Sequence, residues 1–280
     1  MLLGGVRSRY RCGAVPDFHR IPLKVSPPGP TAIGGGGIRR AACAVKNGTH
    51  SQRPSAFACD NLGVPVNLTI IRKLLPPEVL TQITTRLATA PWVDGLQTAG
   101  PVAARVKRNL QVELTSPVAI ELGELVKKTV LANDKFPQLA LPRRMTAPVF
   151  SRYENGMEYG AHTDDAVRAR DGLRTDLAAT LFLSEPDTYD GGELIVNKSS
   201  IKPAAGDLIL YPATSIHRVA PVTRGVRLAA IFWVQSLVRS PEQRELLSAL
   251  HEALMQLGEH PSALSIAAVQ QNLLRMWAEP

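Results

Sequence analysis

The chain has 280 residues, 45% of them apolar, and no run of about 18 apolar residues of the kind a membrane-crossing helix needs. With a mean hydropathy near zero, that length describes one large globular domain or two small ones. The net charge of +8 belongs to one end: residues 1–66 hold nine Lys/Arg against Asp17 and Asp60, leaving 23 basic and 22 acidic residues in 67–280, so a basic nucleic-acid-binding face on the folded part is not supported.

Residues 1–66 contain ten Gly and seven Pro, including the run Gly34–Gly37 and the stretch Pro27-Pro28-Gly29-Pro30. Such a segment has too little apolar surface to offset its chain entropy, so a disordered basic tail or a mis-assigned start site is expected. Its Gly and Pro oppose the amphipathic helix of a transit peptide, and Arg7, Arg9 and Arg11 interrupt the apolar centre of a secretory signal. A cytoplasmic location is therefore expected. Cys12, Cys43 and Cys59 all fall in this segment without C-x-x-C spacing, which indicates neither a zinc knuckle nor a disulfide framework.

The folded part begins near Val66, with 66–71 reading as a strand. Pro76-Pro77 opens a helix carrying Val79, Leu80, Ile83 and Leu87 on one face. A second helix opens at Ser116-Pro117 with Val118, Leu122, Leu125 and Val126 inward, so 67–145 reads as a β/α support region. Strands are then predicted at 146–153, 177–183, 193–196, 207–211, 217–222 and 226–236. Turn signals such as Asp190-Gly191-Gly192 and Ala204-Ala205-Gly206 separate them. The last strand is apolar on both alternating faces except at Arg227, so it is covered on both sides, as in a two-sheet sandwich. Helix returns at Ser240-Pro241-Glu242-Gln243, which reads as a capping box, followed by Leu246, Leu247, Leu250 and Leu254 at helical spacing. A final helix is predicted from about Ser262 to Met276. The expected fold is α+β: a jelly-roll core over 146–238, flanking N-terminal helices, and a C-terminal helical extension over 239–280. The leucine-rich faces of that extension suit intramolecular packing and a homodimer equally.

The most informative residues are His162, Asp164 and His217, with Arg227 ten residues further on. His162 and Asp164 are i and i+2, so an extended segment projects both from one face. Two imidazoles and a carboxylate cover one face of an octahedral metal and leave three positions open, the arrangement of non-haem Fe(II) oxygenases. The plain alternative is a hydrogen-bonded His–Asp pair. His251 and His260 fall on or beside the C-terminal helix and are read as surface residues. A lone guanidinium in an apolar strand is costly to bury without an anion, and its planar fork suits a carboxylate. Arg227 is therefore expected to hold the distal carboxylate of a dicarboxylate co-substrate, the alternative being an internal ion pair. Tyr153 is the candidate phenol beside it, and Tyr159 reads equally well as a core aromatic. The polar segment 165–176, with Arg168, Arg170, Asp171, Gly172 and Arg174, reads as a lid over the site or as a plain solvated loop.

From Tyr153 to Trp233 these residues resemble the prolyl 4-hydroxylase-like branch of the Fe(II)- and 2-oxoglutarate-dependent dioxygenases, and are especially similar to the PKHD-type hydroxylases. The matching stretches run from Phe150-Ser151-Arg152-Tyr153 to Tyr159-Gly160-Ala161-His162-Thr163-Asp164, then through Arg174-Thr175-Asp176-Leu177 and Ala179-Thr180-Leu181-Phe182-Leu183-Ser184. They continue with Tyr189-Asp190-Gly191-Gly192-Glu193-Leu194, with Gly206-Asp207-Leu208-Ile209-Leu210-Tyr211-Pro212, and from His217 through Arg227 to Trp233. Trp92-Val93-Asp94-Gly95 and Asn272-Leu273-Leu274-Arg275-Met276-Trp277 are similar too, so the resemblance covers about 67–280 and leaves the first 66 residues without a counterpart.

The resemblance implies a double-stranded β-helix, iron bound by His162, Asp164 and His217, 2-oxoglutarate bound by Arg227, and dependence on L-ascorbate. It also implies Tyr153 as a second 2-oxoglutarate contact. Ile231 stands where relatives often have Thr, which removes one polar contact to the co-substrate or leaves it to another residue. The implied activity couples decarboxylation of 2-oxoglutarate to succinate with hydroxylation, by dioxygen, of a small-molecule or peptide substrate. Three rivals are set against it. A nucleic-acid demethylase wants a second Arg on the last strand and a basic face. A cupin-type enzyme usually wants an H-x-H pair, and a non-catalytic iron or ligand sensor could share the scaffold.

Overall fold

Short strands between residues 69 and 236 build two sheets, and the computed structural model describes residues 68–98, 100 and 103–279. The expectations for the 1–66 tail and its cysteines lie outside these residues. In chain order the first elements are β1 (Thr69–Ile71), α1 (Pro77–Ala88), β2 (Trp92–Asp94), β3 (Lys107–Arg108), β4 (Leu110–Val112), α2 (Pro117–Leu131) and α3 (Phe136–Ala140). There follow β5 (Pro142–Met145), β6 (Val149–Tyr153), β7 (Glu158–His162), β8 (Leu177–Phe182), β9 (Asp190–Gly191) and β10 (Leu194–Val196). The last are β11 (Ser199–Ile201), β12 (Leu208–Pro212), β13 (His217–Val219), β14 (Val222–Arg224), β15 (Arg227–Ser236), α4 (Pro241–Leu257) and α5 (Ala263–Trp277).

The larger sheet has the order β1-β12-β8-β15-β6-β4-β2, with β5 also paired to β15. The smaller has the order β11-β10-β13-β7-β3, and β9 pairs with β14 in a two-stranded ribbon. Every pairing among the described strands is antiparallel, and residues of both sheets line one cavity. That is the arrangement of a jelly-roll core. No helix among the described residues is long and apolar enough to cross a membrane.

Strand β15 is central because it pairs with β8 along one edge and with β6 and then β5 along the other. It reads as nearly continuously apolar because helices cover the face that its partners leave open. Phe232, wholly buried, meets Phe136 of α3 edge-on with ring centroids 6.1 Å apart. Leu122, Val126 and Val130 of α2 are fully buried in the same cluster. Ser116 caps α2 by accepting from the Ala119 amide at 3.2 Å. Phe232→Ala should cost about 3–5 kcal/mol, the usual result of removing a buried aromatic ring. Urea unfolding should show this as a lower midpoint at unchanged slope.

Three differences from the sequence-based expectation have local causes. The strand predicted over 146–153 is shortened to β6 (Val149–Tyr153), and a separate strand that was not predicted, β5 (Pro142–Met145), precedes it. Pro148 has no amide proton to give the ladder, and the Thr146 hydroxyl accepts from the Trp233 amide at 3.1 Å instead. Pro221 likewise divides the predicted 217–222 strand, giving β13 and β14 on different sheets. At α4 the Ser240 hydroxyl accepts from the Gln243 amide at 3.2 Å as expected, but it donates to Glu242 at 2.5 Å, so the acidic partner of the cap is Glu242. Strands β2, β3, β4 and β7 were not anticipated, because they are short and hold residues such as Lys107, Arg108 and Glu158 that carry no alternating apolar signal.

Candidate active site

His162 ends β7, His217 begins β13, and the two are direct partners in the antiparallel register. Pairing the strands therefore brings together residues 55 positions apart in the chain, with ring centroids 4.3 Å from each other. Asp164, two residues beyond the end of β7, places Oδ1 3.8 Å from His217 Nε2. One donor atom from each of the three lies within 4.8 Å of the others.

The backbone fixes both imidazoles. His162 Nδ1 is 2.8 Å from the Gly160 carbonyl, and His217 Nδ1 is 3.1 Å from the Ser215 carbonyl. A carbonyl oxygen only accepts, so Nδ1 carries the proton in each ring and Nε2 keeps its lone pair for a metal. Burial, with His217 alongside, lowers the His162 pKa to about 4, which keeps that ring neutral at neutral pH. Burial also raises the Asp164 carboxyl above its ordinary value, and its Oδ2 is buried without a hydrogen-bond partner. A cation between the three side chains would stabilise the carboxylate and use both nitrogen lone pairs, so the donor set fits a divalent transition metal.

Arg227 begins β15 directly opposite Tyr153, the last residue of β6. It is 1% exposed, and none of its three guanidinium nitrogens has a hydrogen-bond partner among the described residues. The internal ion pair considered as an alternative is not found there. The guanidinium carbon instead lies 4.9 Å from the centroid of Phe182 and 5.3 Å from that of Tyr153. Such faces attract a cation but leave the N–H groups free to bind an anion. Burial pushes Tyr153 up to about 12 despite the opposing pull of Arg227, so it remains a phenol able to donate. The Tyr189 hydroxyl is also buried without a partner, and Arg227 acts to lower its raised pKa.

Triad, Arg227 and Tyr153 all face one cavity of about 390 Å³. Segment 165–176 folds back over it as a hairpin held by the Val167–Arg174 bridge and by Thr175 donating to the Asp165 carbonyl at 2.5 Å. Arg168 lines the cavity and stacks over Trp233, 4.7 Å from the ring centroid. Arg174 turns the other way and binds Asp176 and Glu279. His260 is exposed as expected, whereas His251 is half-buried on α4.

The profile of the 2OG-Fe(II) oxygenase superfamily matches residues 148–235, the stretch from β6 to β15. A PKHD-type hydroxylase of Bordetella pertussis is 46% identical over 221 residues, covering 75% of this chain and 98% of the relative. One from Xanthomonas campestris is 44% identical over 223 residues with the same coverage. The chain belongs to the PKHD-type hydroxylase family. It is accordingly a 2-oxoglutarate-dependent iron dioxygenase. Among solved structures, a Pseudomonas putida prolyl-4-hydroxylase aligns over 61% of this chain and 92% of its own, at 20% identity and a TM-score of 0.41.

In this PKHD-type hydroxylase the β15–β8 register shows what stands nearest to Ile231. Ile231 is the direct partner of Thr180, and both line the cavity. Thr180 is 3% exposed, the one hydroxyl in the Leu177–Phe182 run of β8. Its signal in the sequence was the same as that of Arg227, a polar residue in an apolar strand, and it went unread. Tyr189 and Lys107 were missed as well, the latter because Lys107-Arg108 looks like ordinary surface charge. Gly192 has φ +68°, and a Cβ there would sit 2.9 Å from Arg227 Cδ. Gly192→Ala should therefore destabilise the fold by about 1–3 kcal/mol and displace the Arg227 stem. An unchanged midpoint in urea unfolding would show that the site tolerates the added methyl.

Proposed function

We propose that His162, Asp164 and His217 hold Fe(II), that Arg227 with Tyr153 binds the distal carboxylate of 2-oxoglutarate, and that decarboxylation to succinate is coupled to hydroxylation of a small-molecule or peptide substrate. One observation carries this reading: a fully buried guanidinium with no partner on any nitrogen opens onto the same cavity as two Nε2 lone pairs and a buried carboxylate. Nothing else in the described chain neutralises Arg227, and a dicarboxylate is the ligand that would.

Each residue then has a defined task. Gly160 and Ser215 carbonyls keep the imidazoles aimed inward, and Asp164 supplies the negative charge of the ligand set. Arg227 provides a two-pronged contact that fixes the orientation of the diacid, and the Tyr153 hydroxyl donates beside it. The 165–176 hairpin and Trp233 limit water on the open side. Iron, when bound, supplies the dioxygen chemistry, and the protein contributes position and exclusion of solvent.

We also assign ascorbate as the reductant that sustains turnover, and a cytoplasmic location. The first rests on the family resemblance. Exposed Leu246, Leu264 and Val269 on α4 and α5 support a homodimer. No nucleic-acid partner is proposed, since residues 67–280 are nearly neutral. Incubation with Fe(II), ascorbate, 2-oxoglutarate and candidate substrates should release succinate in step with hydroxylated product. Binding of metal and 2-oxoglutarate with no succinate, with or without substrate, would establish a sensor instead.

A further inference from the structure

A second cation is buried in the same cavity, and the reaction as proposed does not use it. Lys107 lies on β3, the edge strand of the smaller sheet, paired with Tyr159 of β7, and is 6% exposed. Its Nζ donates to Thr98 Oγ1 at 2.8 Å, and Thr98 donates its own proton to Gln111 Oε1 at 2.7 Å. Gln111 in turn reaches Ser151 Oγ at 3.5 Å. This relay is directional. Thr98 turns its lone pair towards the ammonium because its proton is spent on Gln111.

The ammonium has three protons, and one is used in this way. No carboxylate lies within ion-pair distance of it among the described residues, so the charge is held by a hydroxyl and by the face of Tyr159, 5.2 Å away. Tyr159 stacks on His162 with centroids 3.7 Å apart, which sets Lys107 one ring away from the triad. Burial lowers Lys107 to about 8, against the raising effect of Asp94 and Asp164, so it is still mainly charged at neutral pH. The hairpin cation Arg168 differs, because it is engaged by Trp233 and lies 3.6 Å from Asp171.

We propose that Lys107 is a specificity-determining residue that binds an oxyanion of the substrate, a carboxylate or a phosphate monoester, so that this enzyme selects acidic substrates. The assignment rests on the proposed function, since it gives the co-substrate to Arg227. Those two cations sit on different sheets: Arg227 on β15 of the larger, Lys107 on β3 of the smaller, beyond Tyr159. One buried cation thus serves the diacid, and the other is left for a second anion entering the same cavity. A buried ammonium with two free protons is costly to maintain unless a ligand uses them.

The test titrates the full-length protein calorimetrically, with and without Mn(II) and 2-oxoglutarate, using matched probes: N-acetyl-amino acids against their carboxamides, and N-acetyl-O-phosphoserinamide against N-acetylserinamide. The charged member of at least one pair should bind about tenfold tighter or more, the worth of one charged hydrogen bond. The pair that shows the difference identifies the oxyanion. Lys107→Gln should abolish the preference, Lys107→Arg should restore most of it, and 2-oxoglutarate affinity should hold in both. No charge preference in the wild type, or one that survives Lys107→Gln, overturns the proposal. So does an equal loss of 2-oxoglutarate and probe affinity, which would make Lys107 a co-substrate contact. If 2-oxoglutarate fails to bind the wild type, the Arg227 reading falls, and the probes titrated without it still decide Lys107.

Discussion

Arg227→Met is expected to make the protein more stable without ligand and nearly unable to bind 2-oxoglutarate. The guanidinium is 1% exposed with three unpartnered nitrogens, so the folded protein carries the full desolvation cost of a charge with only aromatic faces in return. Methionine fills similar volume among Phe182, Tyr153 and Gly192 without that cost. Removing a buried unpaired charge should stabilise by about 1–3 kcal/mol, raising Tm by about 2–4 °C per kcal/mol for a domain of this size. Truncating one partner of a buried charge pair costs about 2–5 kcal/mol, which is about 30-fold or more in 2-oxoglutarate affinity. Metal binding should survive, because His162, Asp164 and His217 are untouched. Opposite signs for stability and function mark a group kept for its ligand. An Arg227→Met protein that melts lower and still binds 2-oxoglutarate normally would mean the guanidinium is structural, and the co-substrate site would have to lie elsewhere.

The site was legible in the sequence because its members break the patterns around them. Arg227 interrupts an apolar strand, and His162 and Asp164 share the two-residue spacing of an extended chain. His217 could be paired with them because the folded part holds so few histidines. What the sequence withheld depends on register. Thr180 faces the cavity only because β8 lies against β15 with Thr180 opposite Ile231. Lys107 is buried only because the Gly95–Thr98 turn folds Thr98 onto it, and a Lys-Arg dipeptide has no pattern that forecasts this. The fold shows the same division. Long strands and proline-capped helices announce themselves, whereas the two-residue edge strand β3 exists through pairing with β7 alone.

Asp164→Ala should separate the metal's contribution to stability from that of the protein. In the wild type, Mn(II) or Fe(II) at about a hundredfold excess over its Kd adds about 2.7 kcal/mol, about 5–10 °C in Tm for a domain of this length. Asp164 is the only carboxylate in the ligand set, so the variant should lose most of that increment and its succinate formation should fall to background. Without metal the expectation reverses. Burial raises the Asp164 carboxyl and Oδ2 has no partner, so removing the side chain takes away an unfavourable buried group. The metal-free variant should melt at or above the wild-type temperature. A purely structural Asp164, bonded to His217 as an ordinary polar pair, predicts the contrary: a lower Tm without metal and an unchanged metal increment. Melting curves of both proteins, each with EDTA and with Mn(II), decide between the two, because the readings differ in the sign of one shift and the presence of the other.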